Sequence, residues 1–96
     1  MKMPLRQSRE TAEMLAIQAL AFIAEDPEKL SRFLGMTGIP ADEIRAAAGE
    51  SGFLAGVLEH MLADESLLVA FADSAGIDPA AIARARDAFG KRDDRM

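Results

Sequence analysis

From Ala12 onward the chain is apolar at Leu15, Ala16, Ala19, Leu20, Phe22 and Ile23, with Met14 and Ile17 on the flanks. Polar side chains in this stretch are nearly confined to Glu13, Gln18 and Glu25. This recurrence predicts a helix over residues 8–25, with Ser8 as its N-cap. A helix apolar on most of its circumference is expected to be surrounded by others, so this one is placed at the centre. Asp26, Pro27 and Glu28 then supply an N-cap, a proline at the first helical position and an acid in the first turn. They open a short helix facing inward through Leu30, Phe33 and Leu34, ended by Gly35 or Gly38. A third short helix is predicted near residues 40–48, with Asp42 and Glu43 in its first turn, Ile44 and Ala47 inward, and Gly49 as its stop.

The second half repeats this order. Ser51 can cap a helix over residues 52–63 whose stripe is Phe53, Leu54, Val57, Leu58, Met61 and Leu62. Asp64 caps the next, with Leu68, Phe71, Ala72 and Ala75 inward and Gly76 after its end. Asp78 and Pro79 start the last, which packs through Ile82, Ala85 and Phe89 until Gly90. Identical residues recur 38 positions apart at Leu20 and Leu58, Asp26 and Asp64, Leu30 and Leu68, Phe33 and Phe71, Gly38 and Gly76, Ile39 and Ile77, Ile44 and Ile82, and Ala47 and Ala85. Leu15 with Phe53, Ala19 with Val57 and Ile23 with Met61 match in kind. The expected fold is all-α: a compact bundle of five to six helices, formed by two pseudo-symmetric three-helix units. Arrays of repeats need three or more units to be stable, so two are better served by facing each other.

Ninety-six residues make one domain, with an expected ordered core over about 8–90 and flexible tails at 1–7 and 91–96. Half of the residues are hydrophobic, but 19 of them are alanine, which leaves 29 Leu, Ile, Met, Phe and Val to build the core. With no cysteine, a disulfide framework, a thiolate zinc site and a cysteine nucleophile are all excluded. No run approaches 18 uninterrupted apolar residues and no signal-peptide pattern follows the basic N-terminus, so no membrane association is expected and the cytoplasm is the expected compartment. The net charge of −5 is uneven: residues 1–10 and 84–96 each carry +2, and residues 11–83 carry −9. Such an acidic body repels nucleic-acid phosphates.

The runs AIQALAFIAEDPEKLSRFLGMTGI and FLAGVLEHMLADESLLVAFADSAGIDP resemble a small bacterial family, chiefly alphaproteobacterial, known as domain of unknown function 3572. The resemblance covers nearly all of the chain apart from both tails. It implies no activity, and it assigns no catalytic or binding residue.

The candidate chemistry is sparse. His60, the lone histidine, lies at the edge of the apolar stripe near a predicted helix C-terminus, where a protonated imidazole is favoured. Catalysis by it needs a nucleophile or carboxylate nearby, and the adjacent Glu59 points about 100° away. A half-exposed boundary residue is the expectation, and a structure with no polar cleft around His60 dismisses the enzyme. The acids Asp26, Glu28, Asp42, Glu43, Asp64, Glu65 and Asp78 all fall at predicted helix starts, where capping explains them without a metal. There is no phosphate-binding glycine motif, and no cofactor is expected. Arg84, Arg86, Lys91, Arg92 and Arg95 form a candidate basic patch that keeps a nucleic-acid accessory role as an alternative.

A sharper difference separates the repeats. Lys29, Ser31 and Arg32 of the second helix become Leu67, Val69 and Ala70 in the fifth. Either the fifth helix is buried on three sides, or Leu67, Val69 and Ala70 form an apolar patch for a partner or a homodimer. The expected role is a non-enzymatic protein–protein interaction or adaptor module binding another protein or itself, with a small enzyme using His60 disfavoured.

Overall fold

A computed structural model describes residues 9–90, apart from the Ser51 side chain. Ser8 as a cap, the two tails, and Lys91, Arg92 and Arg95 lie outside the described residues. Six α-helices follow in order: α1 (Arg9–Ala24), α2 (Pro27–Thr37), α3 (Ile44–Ala47) entered through a 3-10 turn (Ala41–Glu43), α4 (Ser51–Leu62), α5 (Glu65–Ala75) and α6 (Pro79–Ala88). No strand is present among the described residues, and the fold is an all-α bundle.

The helix boundaries follow from local chemistry. The carboxylate of Asp26 accepts from the Glu28 N–H at 2.9 Å, that of Asp64 from the Leu67 N–H at 3.2 Å, and that of Asp78 from the Ala80 N–H at 2.9 Å. Each satisfies a donor that a helix start leaves without an intrahelical partner. At the other ends, Gly38 and Gly76 adopt φ of 75° and 70°, a left-handed turn that any side chain would strain. Gly38, not Gly35, therefore ends α2. Residue 50 rather than 51 holds the cap position of α4, and Glu50 makes no side-chain cap bond there.

The core is built where α1, α4 and α6 meet one another, with α2 laid on α1 and α5 on α4. It contains Ala16, Leu20 and Ile23 from α1, Val57, Leu58 and Met61 from α4, and Ile82 and Ala85 from α6, with Phe33 and Phe71 inserted from α2 and α5. The alanines on the inner side of α1 allow its neighbours to approach closely.

Three expectations change. First, the buried side of α5 is turned toward Leu67 by less than one residue relative to the expected stripe: Leu67, Phe71 and Ala72 are buried, Leu68 is half-buried and Ala75 is exposed. Phe71, common to both stripes, packs on Phe22 of α1 with ring centroids 5.5 Å apart. Second, α1 is central but open on one side: Met14, Ile17, Ala21 and Ala24 are exposed. The helices packed on α1 cover the face carrying Ala12, Ala16, Ala19 and Ile23, and the opposite face has no described neighbour over it. Third, the two halves are packed differently at their third helices. α6 packs extensively on both α1 and α4, whereas the one-turn α3 makes no comparable contact with another helix and reaches the core only through half-buried Ile44 and the neighbouring Ala48. The structure thus does not present the halves as full copies of each other.

Candidate functional site

A groove of about 360 Å³ runs between α2, the end of α4 and the start of α5. Its α2 wall is Asp26, Glu28, Lys29 and Arg32, and its α5 wall is Asp64, Ser66, Leu67 and Ala70. These are four pairs of positions 38 residues apart. The spacing noticed in the sequence thus brings corresponding positions to opposite sides of one hollow. His60, from the last turn of α4, lines it between the walls. A second hollow of about 350 Å³ adjoins it and shares Arg32, His60, Asp64 and Ser66, with Met36, Ala63 and Glu65 completing the lining. The two are lobes of one depression.

The polar groups are paired across short distances. Lys29 Nζ donates to Asp26 Oδ2 at 2.9 Å, and this bond holds the Asp26 carboxyl below its ordinary range, with the Glu28 N–H adding to the effect. Arg32 Nη1 reaches Asp64 Oδ2 at 3.5 Å, a long contact that spans the depression from α2 to the cap of α5. The His60 ring stands edge-on to Phe33, with centroids 5.0 Å apart. Partial burial pushes its pKa down, Asp64 pulls it back up, and Arg32 pushes it down again. The expected gain from the helix C-terminus is therefore outweighed by desolvation against an aromatic ring. The ring contact also has a counterpart: Phe22 with Phe71 and His60 with Phe33 are the same two positions exchanged between halves.

A polar cleft does surround His60, so the condition for dismissing it is not met. Its neighbouring carboxylate is Asp64, which also caps α5. Among the described residues, no group of three or more His, Cys, Asp or Glu is placed to hold a metal ion. No single helix among them is long and apolar enough to cross a membrane.

Residues 9–92 match the sequence profile of a family described as protein of unknown function, DUF3572. The chain belongs to that family. No curated protein and no solved structure matches it.

The three residues singled out on α5 of this DUF3572 chain separate in space. Leu67 is 6% exposed and belongs to the core, Val69 is 50% exposed, and Ala70 is exposed and lines the groove. A continuous patch of Leu67, Val69 and Ala70 is therefore corrected: the rotation of α5 turns Leu67 inward, where it meets the groove only at its base. Of the basic residues, Arg84 is exposed, while Arg86 Nε lies 2.6 Å from Glu59 Oε2 and donates from Nη1 to the Gly90 carbonyl at 2.9 Å. That pair ties α6 to α4 and lowers the net charge of the described part of the patch.

The convergence of Asp26, Lys29, Arg32, Asp64 and His60 was not legible from helix-by-helix reading, which assigned the acids to caps and gave Lys29 and Arg32 no partners. The available signal was the pairing of their positions at 38 residues, together with the i, i+4 spacing of His60 and Asp64.

Proposed function

We propose that this chain is a non-enzymatic protein-interaction module of the cytoplasm that receives a segment of a partner protein in the groove between α2 and α5. The observation that carries this reading is the small apolar strip of Leu67 and Ala70 on the α5 side, among lining residues bearing both signs of charge, Lys29 and Arg32 against Asp26, Glu28 and Asp64. Protein interfaces are built in this way: an apolar centre excludes water and a polar rim sets orientation. The rim carboxylates Asp26 and Asp64 already serve as helix caps and ion-pair partners, which favours a fixed recognition surface over proton-transfer chemistry. The pairing of the wall residues at 38 residues is further read as the trace of a tandem duplication whose second copy lost its charges at Leu67 and Ala70.

The test is affinity capture from the native host with the unmodified chain and with Ala70→Trp, which fills the groove from an exposed position without touching the core. The expected result is a partner retained by the first and lost by the second, with unchanged circular dichroism. Equal retention of every captured protein by both overturns the reading.

A second reading, a small enzyme using His60, is favoured by the polar cleft around that ring. It requires His60 itself, so a His60→Phe chain that still captures the same partner counts against it.

A further inference from the structure

We propose that α1 pairs antiparallel with α1 of a second copy of this chain, through Met14, Ile17, Ala21 and Ala24. This surface lies outside the groove lining, so the inference stands apart from the function proposed above. The four positions are spaced by 3, 4 and 3, the seam of a two-stranded helix pair, and fall within roughly 40° of one line along the helix. Met14 is 59% and Ile17 48% exposed, and both alanines are exposed too. On the opposite side Ala12, Ala16, Ala19 and Ile23 are fully buried. The strip is thus a second apolar face on a helix whose first face already builds the core.

The order of sizes along the strip selects a second copy as its occupant. Two large residues precede two alanines. In antiparallel register Met14 meets Ala24 of the other chain and Ile17 meets Ala21, which gives four layers of one large and one small residue each. Facing positions filled in this way interdigitate without voids. A parallel pair stacks methionine on methionine and alanine on alanine, crowding two layers and emptying two.

Charge agrees with the same orientation. Thr11, Gln18 and Glu25 run along one border of the strip. Antiparallel pairing sets Gln18 beside its own copy at the two-fold axis and Glu25 beside Thr11. Parallel pairing stacks Glu10 on Glu10 at the head of the seam, which is unfavourable. On the other border Glu13 is held 3.8 Å from Arg9 of the same helix. Antiparallel helix dipoles also attract.

From residue 14 to residue 24 the seam spans only about 15 Å. Its area falls below the roughly 1,200 Å² at which stable complexes begin, so the dimer belongs to the weak, concentration-dependent class.

Sedimentation of the full chain from roughly 5 to 500 µM tests this, the range in which interfaces of that class assemble. The expected result is a rise in mass from one chain toward two, absent in Ile17→Lys and in Ala21→Glu, both folded by circular dichroism, and unchanged in Ala70→Trp. Because the chain has no cysteine, orientation is read directly. Ile17→Cys mixed with Ala21→Cys forms a disulfide between the two variants faster than either alone, since a disulfide needs close Cβ atoms. A monomer at every concentration overturns the proposal, including the case in which the strip binds only a foreign helix. So does a dimer that survives both charge substitutions, or cross-linking of like with like. A dimer that forms only after deletion of residues 1–8 assigns the strip to that segment and overturns it as well.

Discussion

At position 60 a histidine stands where the 38-residue spacing puts Phe22 in the first half, and it keeps the aromatic contact while adding a titratable ring. Its folded pKa is depressed, first by burial, so the unfolded chain takes up the proton before the folded one does. The stability that the neutral ring contributes is present above its ordinary value of 6.5 and is lost as the pH falls through that value toward the folded pKa. Lowering the pH from about 7.5 to 5.5 is therefore expected to reduce the melting temperature more in the unmodified chain than in His60→Phe, as read by thermal unfolding. Asp26 does not confuse the comparison, because its own lowered pKa matters only near and below 3.8. The existence of His60 at a stripe edge was legible in the chain. The direction of its shift was not, because it depends on Phe33, Arg32 and Asp64 arriving from other parts of the fold.

The helices show how far local pattern reaches. Asp26, Asp64 and Asp78 each cap the helix expected of them, and Gly38 and Gly76 each take the left-handed turn, because capping and chirality act within a few residues. The third helices of the two halves read alike, with acids or proline at the start and an Ile–Ala pair inside, yet they are not used alike. Ile82 is fully buried between helices, whereas Ile44 is only half-buried. Ile82→Ala is thus expected to cost about 2–5 kcal/mol, and Ile44→Ala less than about 1.5 kcal/mol, because removing methylenes costs most where the surroundings cannot collapse. Urea denaturation of the two variants measures the difference, and equal losses contradict the packing of α6 against α1 and α4. The rotation of α5 belongs to the same scale: Leu67 and Leu68 are adjacent, and periodicity allows either to face the core. Phe71 shares a face with both, and the tertiary packing turns Leu67 fully inward.

At the scale of the whole molecule, the placement of charge bears on the nucleic-acid alternative. Residues 11–83 carry −9, and Arg86 is engaged by Glu59. Titration with duplex DNA is expected to show no saturable binding between about 50 and 200 mM salt, the range over which phosphate contacts reveal themselves by their salt dependence. Salt-sensitive binding abolished by Arg84→Ala contradicts this. The all-α class, the helix starts and stops, and the split of apolar from polar positions were written in the order of residues, because capping, chirality and periodicity are short-range. Assembly supplied the rest: which side of α1 is left open, which of two neighbouring leucines turns inward, and how Asp26, Lys29, Arg32, Asp64 and His60 come to share one groove. A periodic pattern announces that a helix has a face to bury. It does not say which neighbours will arrive to bury it, and on α1 the apolar positions outnumber those that α2, α4 and α6 can cover.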